Sequence, residues 1–233
     1  MFLEFGVCGG LVLFANRFFG LSGLYIYTGV GVIAANMAVL KTVQFSFYPE
    51  PMALGTIIFS SLFLCSDMIN ERYGKAAALK SVWLGFFSYF TLMLFMFFSL
   101  GYQNSLSDAF QAAASFLFLP APALFIASLT AYFLGQYVDV FLYHFIHTKT
   151  GEKYLWLRSS ASTLLAMFID NAIFSFLAWG ILAVNPMPFS DIFWTYILGV
   201  TLVRAFVSVG NIGFMYIFSF LNRKVKINVV PLS

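Results

Sequence analysis

Four ionisable side chains sit inside stretches that are otherwise apolar. Asp67 falls within Ala53–Asn70, Asp139 within Ala123–His144, Asp170 within Trp156–Val184 and Arg204 within Ile192–Leu221. A carboxylate or guanidinium at the centre of a membrane helix costs about 2.5–3.5 kcal/mol on insertion scales, so it is kept where a partner or ligand offsets it. Arg204 is expected to pair with Asp139 or Asp170. One arginine cannot neutralise three deep carboxylates, so at least one is left to meet a ligand or a proton.

Asp67 and Glu71 are spaced i, i+4 and share a helix face, with Asn70 beside them. Glu71 is expected to pair with Lys75, again at i, i+4, while Asp67 sits a full turn deeper. Asn36 and Lys41 lie toward the far half of their segment, and Asn171 adjoins Asp170.

Other chemistry finds little support. Gly20-Leu21-Ser22-Gly23 has the look of an intramembrane serine protease motif, but Ser22 begins a helix at the membrane edge. Both histidines, His144 and His147, lie in or beside one loop, so no general base is set within a span. Without a nearby thiol or third histidine they read as an interfacial helix end and not as a metal site. There is no phosphate-binding glycine loop, zinc motif or ATPase signature. The chain is therefore read as a non-enzyme that needs no cofactor.

The elements that must position these groups follow from composition. Hydrophobic residues make up 61% of the 233, charged residues only 9%, and the mean hydropathy is +0.91. Ordinary soluble domains are about 25% charged. Charges are absent from Ser81 to Ser107, from Ala109 to Val138 and from Asn171 to Ser190. Each run suits the ~20 residues that cross a hydrocarbon core, where helices satisfy their own backbone. The expectation is an all-α integral membrane protein, a bundle of six to seven transmembrane helices in one polytopic domain. The expected spans are Phe2–Asn16, Ser22–Val43, Ala53–Asn70, Leu79–Tyr102, Ala123–His144, Trp156–Val184 and Ile192–Leu221. Residues 1–21 form the N-terminal helix, read as retained and not as a signal peptide, 22–221 the core bundle and 222–233 the tail. Pro120 and Pro122 favour a break before the fifth span, with Phe116–Pro122 as a re-entrant or interfacial piece.

Loop charges orient the bundle. Arg17, then Arg72, Lys75 and Lys80, then Lys149 and Lys153, then Arg223, Lys224 and Lys226 fall at alternate connections. Those segments are expected in the cytoplasm, while Glu50, Asp108 and Asp191 face outward. Trp83, Trp156, Trp179 and Trp194 fall at the two boundaries, as an aromatic belt would. A net charge of +3 gives no reason to invoke nucleic acid. Cys8 and Cys65 read as buried free thiols, and Gly6 with Gly10 as a small-residue pair permitting close helix contact.

Ser128–Asp139 resembles Ser159–Asp170, each placing a serine eleven residues before an aspartate. Since the two helices run in opposite directions, this reads as a weak inverted repeat of the kind transporters use.

The blocks Ala34-Ala-Asn-Met-Ala-Val-Leu-Lys41, Leu54-Gly-Thr-Ile-Ile-Phe59, Ser66-Asp-Met-Ile-Asn-Glu-Arg-Tyr-Gly-Lys75 and Val82-Trp-Leu-Gly-Phe86 occur in order. Gln136-x-x-Asp139 and Leu155-Trp-Leu-Arg-Ser-Ser-Ala-Ser-Thr163, continuing to Ile169-Asp170, follow. Together they resemble the vitamin uptake transporter family of queuosine-precursor transporters, from about Gly23 to Gly180. Met167 stands where the family's glutamine is expected, Asn171 where a threonine is usual, and Gly210-Asn211 where proline is expected.

The resemblance implies uptake of a 7-deazaguanine, queuine or its aminomethyl or cyano precursors, across a bacterial inner membrane, with the C-terminus inside. A buried carboxylate would accept the base's N–H and amino edge as a bidentate pair. Asn36, Gln44 or Gln136 would serve its carbonyl, and Phe or Trp faces would stack on it. The candidate substrate-binding set is Asn36, Lys41, Gln44, Asp67, Glu71, Gln136, Asp139, Asp170, Asn171 and Arg204. A secondary carrier is the first reading, with a coupling ion or a homo-oligomer as possible partners. The alternative is a substrate-binding subunit of an energy-coupling-factor importer, whose ATPase module would be another chain.

Overall fold

The computed structural model describes residues 2–39, 41–43, 52–102, 111–112, 114–115, 122–151, 153–183 and 185–222. Among them helices α1 (Phe2–Ala38), α2 (Gly55–Tyr73), α3 (Lys75–Gly101), α4 (Pro122–Thr150), α5 (Leu155–Ile181) and α6 (Phe189–Asn222) pack as an all-α membrane bundle. The π-helical turns Phe176–Ile181 and Ile192–Gly199 lie within α5 and α6. Strands β1 (Thr42–Val43) and β2 (Met52–Ala53) form one small antiparallel ladder.

The first two expected spans are joined more tightly than the sequence suggests. No loop separates them: α1 breaks at Gly20 alone, whose φ of 58° and ψ of −138° belong to glycine. In a straight helix residues 15 and 23 would lie ~12 Å apart. Here a Cβ on Gly23 would stand 2.4 Å from the Ala15 carbonyl oxygen, and the Cys8 thiol reaches Tyr27. The two arms, 2–19 and 21–38, therefore run antiparallel, each about 27 Å long. Gly74 makes a similar single-residue joint between α2 and α3, at φ 84°. Counting the arms of α1 separately, seven helical passes are described.

Gly9 lies against Phe214 in the N-terminal arm, whereas Gly6 and Gly10 meet nothing within 4 Å. The expected small-residue contact is thus displaced by one position, because the arm presents Gly9 and Phe5 to α6. Both cysteines are free and buried.

The least apolar helix occupies the middle. α2 is buried at residues 55–57 and 59–70, including Ser60, Ser61, Ser66, Asp67 and Asn70, and touches every other helix. A helix surrounded by protein need not match lipid, so polar side chains accumulate there and find partners on its neighbours. α3 instead lies at the rim, with Phe87, Phe90, Phe95, Phe97 and Phe98 exposed. Trp83, Trp156 and Trp194 are also exposed, whereas Trp179 is half-buried and packs against Tyr196, ring centroids 5.5 Å apart.

Helices α4 and α5 pack antiparallel in a definite register. Tyr143 meets Arg158, Asp139 meets Thr163, and Gly135 abuts Asp170, where a Cβ would come within 2.8 Å. The two similar stretches therefore lie against each other, with Asp139 level with Thr163 and Asp170 level with Gly135. The fifth expected span begins at Pro122 and runs to Thr150. The segment 116–121, Glu50, Asp108 and the tail arginine and lysines lie outside the described residues.

Candidate functional site

Polar side chains along α2, α4 and α5 stack in layers through the bundle. At the end carrying Arg72, Lys75, Lys149 and Lys153, the Arg158 guanidinium is 1% exposed and ties three elements together. It pairs with Glu71 of α2, donates Nε–H to Tyr143 Oη of α4 at 3.3 Å, and donates Nη1–H to the Gly151 and Lys153 carbonyls at 2.7 and 3.3 Å. Tyr143 in turn donates to Glu71 Oε2 at 2.7 Å.

This corrects the expected Glu71–Lys75 pair. Arg158 approaches from α5 and presents a planar fork to the carboxylate, while Lys75 lies over the Phe141 ring, 3.4 Å from its centroid. Arg158→Lys is expected to keep the charge but lose the bonds to Tyr143 and the loop carbonyls, costing about 1–2 kcal/mol. Thermal unfolding of the detergent-solubilised protein reads that loss; an unchanged midpoint would show the fork to be dispensable.

One turn deeper lies a pair of carboxylates. Ser159, next to Arg158, donates to Asp67 Oδ2. The Thr163 hydroxyl stands 3.4 Å from Asp67 Oδ2 and 3.5 Å from Asp139 Oδ1, so a single proton is shared between two acceptors. Asp67 and Asp139 are 1% and 0% exposed. Asn70 donates to the Val140 carbonyl at 3.0 Å, which places its amide in the same α2–α4 seam. Asp67 Oδ1, Asp139 Oδ2, Asn70 Oδ1 and Gln136 Nε2 have no hydrogen-bond partner among the described residues. Gln136 precedes Asp139 by three residues, so the two share a face of α4.

In the third layer Arg204 of α6 donates to Asp170 Oδ2 at 2.5 Å, choosing the nearer of its two expected partners. The guanidinium carbon also lies 5.8 Å from the centroid of the Phe59 ring. Asn171 donates to Thr201 Oγ1 at 3.0 Å, and Asn211 to the Ser60 carbonyl at 3.2 Å. These bonds weld α6 to α2 and α5.

Asn36 belongs to a fourth, outer layer, donating to the Val32 carbonyl at 2.8 Å and accepting from Ser128. Lys41 is exposed, beyond the end of α1. Gln44 lies outside the described residues. The fold therefore gathers Asp67, Glu71, Gln136 and Asp139 in adjacent layers, places Asp170, Asn171 and Arg204 in the next, and holds Asn36 and Lys41 apart.

Asn70 and Ser159 stand out in the sequence only as neighbours or repeat markers, and none of Arg158, Tyr143, Ser159, Thr163 and Asn70 belongs to the expected substrate-binding set. Arg158 carried a signal, as the lone cation of a long helix after a basic loop. The others are hydroxyls and an amide, too common in membrane helices to be distinguished without knowing the register.

A multi-pass helical bundle with buried, partly uncompensated carboxylates is the architecture of a membrane transporter. The family described as "Putative vitamin uptake transporter" matches residues 53–218, and the chain belongs to that family. It is 31% identical over 207 residues to the "Probable queuosine precursor transporter" of Bacillus subtilis (strain 168), covering 88% of this chain and 87% of that protein. No solved structure matches it.

Proposed function

We propose that this chain imports a 7-deazaguanine base, a precursor of queuosine, as a secondary carrier in a bacterial cytoplasmic membrane. The likeness to a protein named for queuosine-precursor transport supports the substrate class. The observation that carries the site is Asp67: a wholly buried carboxylate, one oxygen held by Ser159 and the other without a partner among the described residues. A guanine-type edge carries an N–H and an amino group side by side, and an ionised carboxylate is its natural acceptor. Gln136 Nε2, also without a partner among the described residues, would donate to the base carbonyl. Asp139 completes the acidic layer, and Asp170, Asn171 and Arg204 frame it one layer out.

Release to the cytoplasm then passes the Arg158–Glu71–Tyr143 cross-link. On this reading the end bearing Arg17, Arg72, Lys75, Lys149 and Lys153 faces the cytoplasm. Reporter fusions after Gly74 and after Asn222 are expected to report a cytoplasmic location; an external signal from either overturns the orientation.

The deciding experiment is uptake of labelled queuine, its aminomethyl and cyano precursors, and guanine, in a queuosine-synthesis-deficient host expressing this chain alone. Accumulation of a deazaguanine but not of guanine supports the reading. Failure of all deazaguanines in cells that contain the inserted protein overturns it, and activity restored only by a co-expressed ATPase module identifies the energy-coupling subunit instead.

A further inference from the structure

Charge does not balance in the Asp67–Asp139 layer. Both carboxylates touch the same Thr163 hydroxyl and both are buried. The groups facing them are Ser159, Ser162 and Thr163 from α5, Asn70 and Glu71 from α2, and Tyr143 from α4 itself. None of these is a cation. Arg158 is committed to Glu71, and Arg204 to Asp170. Two like charges this close in a medium of low dielectric repel strongly, and their desolvation is repaid only by a counter-charge.

The unpartnered atoms show where a counter-charge would be received. Asp67 Oδ1, Asp139 Oδ2 and Asn70 Oδ1 are all acceptors, all nine-tenths or more buried, and the Asn70–Val140 bond draws the amide to the α2–α4 seam beside Asp139. Buried acceptor oxygens with no donor among the described residues, carried by side chains that meet at one seam, suit a small positive ion, which needs oxygen ligands and offers no hydrogen-bond geometry of its own.

We propose that the Asp67–Asp139–Asn70 seam is a binding site for one monovalent cation, a proton or sodium ion, that accompanies the base. The proposal rests on the reading of Asp67 as the base's acceptor. With the cation bound, the two carboxylates keep one net negative charge, which attracts the N–H and amino edge of a neutral base to Asp67. Cation and base then favour each other's binding, which is the thermodynamic requirement for cotransport.

The test measures the melting temperature of the purified protein without base, and separately its affinity for the preferred deazaguanine. Both are read with sodium replaced by N-methylglucamine at constant pH, and again over a pH series without sodium. A sodium ion shows as a rise in melting temperature and at least about a tenfold gain in affinity with sodium. A proton shows as the same gains on acidification alone. Asp139→Asn is expected to abolish the response, and Thr163→Val, which keeps both carboxylates, to weaken it. Base binding that ignores both cations, or a response that survives intact in Asp139→Asn, overturns the cation site. If Asp139→Asn does not fold, the wild-type and Thr163→Val responses decide. Absence of base binding under every condition instead sinks the substrate reading, and the base-free melting series still reads the cation.

Discussion

Asp170→Asn is expected to lower the stability of the protein by about 3–5 kcal/mol, because it strands a buried guanidinium. Arg204 is 8% exposed, its Nη1 donates to Asp170, and its Nε has no partner among the described residues. Asparagine matches aspartate in shape, so the close approach of Gly135 is undisturbed and the change is nearly one of charge alone. With total stabilities of about 5–15 kcal/mol, such a loss removes much of the folded population. Uptake is expected to fall with it. The double variant Asp170→Asn with Arg204→Met removes both charges and is expected to recover most of the melting temperature, since an apolar replacement of a whole buried pair is often neutral. Thermal unfolding and uptake, measured on the same variants, separate two roles. A single variant that melts like the wild type yet transports nothing would mean that the carboxylate serves a ligand and not Arg204.

Asp67→Asn probes a different kind of carboxylate, one that no arginine or lysine among the described residues pairs with. An amide offers one acceptor oxygen where the carboxylate offered two, and one of the two carboxylate oxygens is already taken by Ser159. Loss of the charge-assisted pair with the base's N–H and amino edge is expected to cost about 1.5–3 kcal/mol, or roughly tenfold to a hundredfold in affinity. An analogue lacking the exocyclic amino group is expected to bind the wild type weakly and to lose little on mutation. Direct binding of both ligands to purified protein makes the comparison. Equal weakening of the two, or none, would show that Asp67 holds the helix or a cation and does not read the base.

These two aspartates looked alike in the sequence, and the difference between them is instructive. Each was a single acidic residue in an apolar run, with the same cost of burial. That cost was legible without coordinates, as was the shortage of cations to offset it. Which carboxylate receives Arg204 depends on the rotation of α5 against α6, and helix–helix register inside a membrane is set by packing, not by hydropathy. The same limit explains Glu71. A local i, i+4 partner was visible in Lys75, but Arg158, eighty-seven positions along the chain, came closer. Sequence spacing registers contacts within a helix and is blind to those between helices.

The sequence by itself determined the membrane class, the all-helical architecture, the approximate spans and the burial of Asp67, Asp139, Asp170 and Arg204. Composition decides those features, because lipid permits only self-satisfied backbone and penalises every charge. It also carried the family resemblance. The tertiary structure alone decided that α1 folds back at Gly20, that the serine-rich α2 stands at the centre, and that Asp67 and Asp139 face each other across Thr163. These depend on one backbone torsion and on the faces that neighbouring helices turn toward each other. Neither is written in hydropathy, since a buried helix and a lipid-facing one can carry the same apolar residues.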